Sequence, residues 1–65
     1  MNAYVIDGNG NGHLLCGRYR TEDGAIRALL KRVGETEIRF LGATREPREV
    51  TAEWLVRYCG NVSEY

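Results

Sequence analysis

The chain has one histidine, one serine and two cysteines, and this scarcity limits the chemistry that it can carry. A zinc site needs three or four ligands, yet His13 and Cys16 lie three residues apart in a predicted strand and therefore point to opposite faces. Only His13 could activate Cys16, Cys59 or the lone serine, Ser63, and no spacing brings a nucleophile, a base and an orienting group together. The sequence therefore predicts no catalytic residue, no metal and no cofactor, and so a protein that is not an enzyme.

Neither sign of charge dominates, because nine basic residues balance nine acidic ones. A balanced net charge argues against nucleic acid as an obligatory partner. Lysine is almost absent, and Lys31 is the only one among the basic residues. The arginine bias has two explanations: the codon composition of a GC-rich genome, or the suitability of a planar guanidinium for bidentate contacts at interfaces.

Long hydrophobic runs are also missing. No apolar segment approaches the ~18 residues that a membrane span requires, and the first residues lack the basic start of a signal peptide. These absences predict a cytoplasmic protein without a membrane partner. In the cytoplasm Cys16 and Cys59 are expected to be reduced thiols, although their spacing in the sequence does not exclude a disulfide between them. The 65 residues predict one domain. A chain this short buries only about 60% of its unfolded surface, so a homodimer or docking on a partner would add stability.

Glycine, in contrast, is abundant, and residues 7–12 read Asp-Gly-Asn-Gly-Asn-Gly. Glycine and asparagine accept positive φ at low cost, and this segment separates two apolar runs, which is typical of a β-hairpin tip. The segment also resembles the first half of a calcium loop that would begin at Asp7. The twelfth loop position would be Arg18, which repels a cation, so the pattern favours a structural turn.

The rest of the chain alternates between strand and helix patterns. Strands are predicted at residues 3–6, 13–20 and 37–41, with Ile38 and Phe40 on one face of the third. Between the second and third strands, Thr21 to Val33 is predicted as a helix, with Thr21 as its N-cap and Gly34 as its C-cap. The apolar stripe of this helix consists of Ile26, Leu29, Leu30 and Val33.

The last segment is ambiguous. Residues 50–59 fit both an alternating strand and a helix that Thr51 could cap, and the helix is favoured. Residues 61–65 are predicted as a loose tail. The expected fold is a small single α+β domain over residues 1–65, with a three-stranded antiparallel sheet in the order β-β-α-β-α and both helices on one face. The alternative, with a strand at residues 50–59, is β-β-α-β-β.

Exposed arginines are the candidate binding residues. The predicted strands place Arg18, Arg20 and Arg39 on one solvent-exposed sheet face, and the following loop adds two more; the full set is Arg18, Arg20, Arg39, Arg45 and Arg48. The first hypothesis is a non-enzymatic protein-binding module, since Trp54 and the tyrosines are residue types enriched at interfaces, although Trp54 and Tyr19 are expected in the core. It would inhibit or regulate a larger prokaryotic protein or nucleoprotein complex by occupying its surface, and a phage is one setting. The alternative is a small nucleic-acid-binding regulator that uses the arginine-rich face.

Overall fold

The computed structural model describes residues 1–46 and 48–65 as an α+β domain with a four-stranded mixed sheet and two helices. The elements follow the chain in the order β1 (Asn2–Asp7), β2 (Asn11–Cys16), α1 (Glu22–Val33), β3 (Ile38–Thr44), α2 (Ala52–Leu55) and β4 (Asn61–Glu64). The sheet order is β3-β1-β2-β4; β1 is antiparallel to both of its neighbours, whereas β2 and β4 are parallel. The predicted three-stranded antiparallel sheet is therefore wrong.

The hairpin between β1 and β2 is confirmed. Its loop contains residues 8–10, with the Gly10 N–H donating to the carbonyl of Asp7 over 3.1 Å and Gly10 at φ 80°. A three-residue hairpin loop needs one residue in the left-handed region, and glycine fills it without strain. Strand β2 ends at Cys16, earlier than predicted, so Arg18 and Arg20 lie in the connection to α1 and share no strand face with Arg39.

Helix α1 forms where its capping residues predict it. The Thr21 hydroxyl accepts a hydrogen bond from the Gly24 N–H over 3.0 Å, and Gly34, at φ 83°, donates its N–H to the Leu30 carbonyl. Leu29 is fully buried against the sheet, as the apolar stripe predicts. Ala25 is also fully buried and belongs to the same helix face.

A β-bulge reorients the side chains of β3. Ile6 pairs with Phe40 while the next residue of β1, Asp7, pairs with Ile38, so that Arg39 is the extra residue. A bulge changes the alternation of side chains along the strand. As a result, Ile38 packs beneath α1 whereas Phe40 lies on the opposite face of the sheet. The predicted common face of Ile38 and Phe40 is therefore wrong.

The end of the chain differs most from the prediction. Residues 50–59 contain the favoured helix, with Thr51 accepting from the Trp54 N–H, but α2 has only four residues and a turn follows it. Residues 61–64, expected to be loose, form β4 beside β2. No helix in residues 1–46 and 48–65 has the length and apolar character needed to cross a membrane.

The sheet carries an apolar core on each face, and not helices on one face as predicted. Alternate residues of β1 contribute to the two cores: Val5 packs with α1, and Ile6 packs with Leu55 of α2. The chain crosses from β2 to β3 through α1 and then returns across the sheet to β4 through α2. Parallel crossovers are right-handed almost without exception, and two crossovers of one hand that run in opposite directions must use opposite faces.

Candidate functional site, an aromatic cleft

An aromatic cleft opens on the sheet face that carries α2. Its volume is about 380 Å³, within the range of small ligand pockets. The residues that line this aromatic cleft are Tyr4, Ile6, Phe40, Trp54 and Tyr58. They come from β1, β3 and the α2 segment, so the cleft exists only because the chain returns across this face of the sheet.

Trp54 is the centre of the cleft. Its ring meets Tyr4 edge-on, with centroids 5.2 Å apart and an angle of 72° between the planes. Tyr58 also contacts the Trp54 ring, with centroids 5.1 Å apart and an angle of 56° between the planes. Such aromatic pairs contribute about 0.5–1.5 kcal/mol each beyond their buried area, and they hold the rings in place. The cleft therefore has a preformed wall of aromatic rings.

The outer residues of the cleft are exposed to an unusual degree. Phe40 is 60% exposed and Tyr58 is 59% exposed, and both line the same opening. Val56, in the turn between Trp54 and Tyr58, is 51% exposed but does not line the cleft. Scattered apolar residues are normal on a protein surface, but a contiguous group around a cleft marks an interaction site.

A second cavity of about 590 Å³ continues from the aromatic cleft along β3. The two share Tyr4 and Trp54, and the second extends past Thr44 to Glu49 and Val50. The loop on this side is anchored by the buried Asn2, whose Nδ2 donates to the Val50 carbonyl over 2.9 Å. The combined groove thus runs from Phe40 to the loop that carries Arg45 and Arg48.

The five predicted binding arginines are all exposed, but they do not form one patch on a sheet face. Arg18 and Arg20 lie in the connection after β2, and Arg39 lies at the bulge of β3. Arg45 and Arg48 follow β3, and they are the sequence neighbours of Thr44 and Glu49, which line the second cavity. The expected face of Arg18, Arg20 and Arg39 is wrong, because β2 ends before the first two; the role of all five in binding stays a prediction.

The main cluster of titratable side chains lies at the hairpin end of the sheet. His13 Nε2 is 2.9 Å from Asp7 Oδ2, and His13 Nδ1 is 2.9 Å from the hydroxyl of Tyr65. A neutral ring that donates from Nε2 accepts at Nδ1, so one tautomer satisfies both bonds. Asp7 Oδ1 accepts the backbone N–H groups of Asn9 and Asn11. Asp7 thus ties the hairpin tip to β2, and His13 ties β2 to the end of β4.

These contacts predict a specific acid sensitivity. The hydrogen bond to His13, followed by the backbone bond from Asn11, holds the pKa of Asp7 below its ordinary value of 3.8. A carboxyl with a lowered folded-state pKa contributes stability that is fully present above the unfolded pKa and lost as pH falls through the folded pKa. Chemical denaturation from about pH 6 to about pH 2 should therefore show a loss of stability that Asp7→Asn reduces. An unchanged pH profile in Asp7→Asn would contradict this role.

The cysteines and the hairpin tip show no arrangement for metal chemistry. Within residues 1–46 and 48–65, no three His, Cys, Asp or Glu side chains are placed to hold an ion. Cys16 and Cys59 are both free. The Cys59 thiol donates to the Leu55 carbonyl, and burial raises its pKa, which disfavours the nucleophilic thiolate. The carboxylate that would begin a calcium loop already accepts donors on both oxygens.

Comparison of the chain with protein-family models, with curated proteins and with solved structures finds no match. Function is therefore inferred from the geometry of the aromatic cleft and its surroundings.

Proposed function

We propose that this chain is a small, non-enzymatic protein-binding module whose contact surface is the aromatic cleft. The observation that supports this most is the exposure of Phe40 and Tyr58 around a preformed Tyr4–Trp54 wall. Binding hot spots are enriched in Trp and Tyr, and they concentrate where an anchor residue fills a desolvated pocket. The occupant that fits is a partner protein that presents an apolar side chain to the cleft. Burying that side chain would remove both exposed rings from water.

The surroundings of the cleft suit a protein interface. Such interfaces combine an apolar centre with a polar rim in which arginine is common. Here the groove leads from Phe40 to the loop that carries Arg45 and Arg48, and Arg57 precedes Tyr58. We expect these arginines to contact carboxylates of the partner around the apolar anchor.

The biological role that we propose is inhibition or regulation by occupying the surface of a larger prokaryotic protein or nucleoprotein complex, with a phage as one setting. A module of this size can block a surface without chemistry of its own. The clustered Asp7, His13 and Tyr65 side chains bond to one another, which supports a structural role over a catalytic one. The proposed location is the cytoplasm, where the free Cys16 and Cys59 would stay reduced.

Nucleic-acid binding is the second candidate, because Arg45 and Arg48 adjoin a groove with exposed aromatic rings. Bases stack on such rings, and arginine contacts phosphates. The balanced net charge weakens this candidate, since single-strand binders rely on a positively charged groove. The loss of a strand face shared by Arg18, Arg20 and Arg39 weakens it further, because β2 ends at Cys16.

Affinity capture from a bacterial lysate, with and without nuclease, tests the proposal when variants are compared in parallel. Phe40→Ala and Tyr58→Ala each remove an exposed ring, and loss of a hot-spot residue costs about 2 kcal/mol or more of binding, which is at least a ~30-fold weaker association. Val56→Ala is the matched control, because it removes an exposed apolar side chain that does not line the cleft. We expect one nuclease-resistant partner that is lost with both cleft variants and retained with the control.

Two results would contradict the proposal. Recovery that disappears with nuclease and falls steeply with salt would indicate nucleic acid. Recovery that survives both cleft variants but is lost with Arg18→Glu and Arg20→Glu together would place the contact surface elsewhere.

The paired change Arg45→Glu and Arg48→Glu should weaken capture without loss of fold, because exposed substitutions usually change stability by under about 0.5 kcal/mol.

A further inference from the structure

The two edges of the sheet differ in how they meet solvent. Strand β4 is a four-residue edge with the sequence Asn-Val-Ser-Glu, and a short, polar, charged edge resists pairing with other strands. Strand β3 is a seven-residue edge, and its segment from Phe40 to Thr44 contains no charge and no proline. Phe40 is 60% exposed on one face of this edge, and Leu41 is 43% exposed on the other. An edge of this kind is a template for another strand.

The outward-facing backbone N–H and C=O groups at the centre of β3 have no partner among residues 1–46 and 48–65. Met1 and Gly17 exchange two backbone hydrogen bonds, from the Met1 amino group to Gly17 O over 2.6 Å and from Gly17 N–H to Met1 O over 3.1 Å. Met1 is therefore bonded on the β2 side. Because the hydrogen bonds of an antiparallel strand alternate between its two sides, the odd-numbered residues of β1 bond to β2 and the even-numbered residues bond to β3. Their partners in β3 are likewise even-numbered. Leu41 and Ala43 therefore direct their N–H and C=O groups away from the sheet.

We infer that the occupant of this edge is a second copy of the chain, paired antiparallel through β3 about a two-fold axis at Leu41. In this register, Leu41 of each copy exchanges two hydrogen bonds with Leu41 of the other, and the two sheets join into one of eight strands. A two-fold interface must be self-complementary, with each residue facing its reciprocal partner. The inference does not require a partner protein, although the pairing uses Phe40, which also lines the aromatic cleft.

The side chains support this register over its neighbours. It places the exposed Phe40 of each copy opposite Gly42 of the other, where the large ring meets a residue without a side chain. The Tyr4 ring covers Gly42, since a Cβ at this position would lie 2.8 Å from Tyr4 Cε1. In the pair, Phe40 of the other copy therefore packs beside the Tyr4 ring. The register also brings Glu37, which precedes β3, toward Arg45 of the other copy, which follows β3.

Moving the axis along the strand loses this complementarity. An axis at Gly42 sets Arg39 opposite Arg45, and like charges directly opposite each other are destabilising. An axis at Phe40 sets the two Phe40 rings opposite each other and sets Gly42 opposite Ile38, whose side chain packs beneath α1 on the other face of the sheet. Only the axis at Leu41 provides both the reciprocal Phe40–Gly42 contact and opposite charges at the strand ends.

Two measurements on the wild-type protein test the inference. Sedimentation equilibrium over a range of concentrations should show a mass that rises from the monomer to twice that value. Amide hydrogen exchange, followed over the same range, should show protection of the Leu41 and Ala43 amides only at concentrations where the dimer forms. The Gly42 amide, bonded to β1, should stay protected throughout. A mass that remains that of the monomer, or exchange at Leu41 and Ala43 that ignores concentration, overturns the inference.

A variant pair separates the edge from other surfaces. Leu41→Lys puts two like charges together at the axis, as natural edge strands do to prevent pairing, and should halve the mass while circular dichroism stays native. Val56→Lys adds the same charge at another exposed apolar site and should leave the dimer intact. A dimer that persists in Leu41→Lys contradicts this register. If Leu41→Lys does not fold, the exchange measurement on the wild type still decides the matter.

Discussion

Replacement of Leu29 by alanine should lower the free energy of unfolding by about 2–5 kcal/mol. Leu29 lies on the face of α1 that packs against the sheet and is fully buried, so truncation leaves a cavity that neighbouring side chains cannot fill. At about 0.05–0.15 kcal/mol per residue, a 65-residue domain has a total stability of about 3–10 kcal/mol. The variant should therefore be strongly destabilised, and partly unfolded at room temperature if the wild type lies near the lower end of that range.

Leu30→Ala is the control for this prediction. Leu30 is next in the same helix but only half-buried, so the same truncation should cost less. Urea denaturation followed by circular dichroism gives both free energies. Equal losses in the two variants, or wild-type stability in Leu29→Ala, would show that α1 does not pack as described.

Leu55→Ala should have a similarly large effect on the opposite face, again about 2–5 kcal/mol. Leu55 is fully buried in the core beneath α2, close enough to Gly12 that a Cβ there would lie 3.0 Å from Leu55 Cδ2. A helix of four residues has little stability of its own, and packing must hold it in place. Loss of Leu55 should therefore also loosen Trp54, which precedes it and forms the centre of the cleft.

Val56→Ala provides the comparison, since the neighbouring Val56 is exposed and should change the stability by under about 0.5 kcal/mol. The same denaturation experiment measures both, and near-ultraviolet circular dichroism reports whether the aromatic rings keep a fixed environment. If Leu55→Ala costs no more than Val56→Ala, the second core does not depend on α2.

The sequence predicted the elements that local residue chemistry determines. Thr21 and Gly34 bound α1 because capping and positive φ are local requirements, and the glycines after Asp7 form a turn for the same reason. Strand β4 was missed because Asn61–Glu64 has little strand character of its own and depends on pairing with β2. Its position at the far edge then requires the second crossover, and with it a core on both faces.

The site was only partly predictable for a related reason. The sequence indicates Tyr58 as an interface residue, but it favours a core position for Trp54, and it does not indicate their neighbour Phe40. Simple alternation places Phe40 beside Ile38 in the core, and only the bulge at Arg39 turns it to the other face. A bulge depends on how two strands align, so the pattern of one strand cannot reveal it. The predicted grouping of Arg18, Arg20 and Arg39 required β2 to extend to Arg20, and it failed because β2 ends at Cys16.

Binding of a partner protein in the aromatic cleft can be followed at Trp54, because it is the only tryptophan in the chain. A ¹⁵N-labelled sample has a single indole N–H signal. Unlabelled partner that has been recovered by capture is titrated into this sample. We expect the Trp54 indole signal and the amide signals of Phe40 and Tyr58 to shift or broaden with the same saturation, while the amide signal of Val33, on the far side of the sheet, does not change. Saturable changes confined to Arg18, Arg20 and the hairpin end, with an unchanged Trp54 indole, would contradict it.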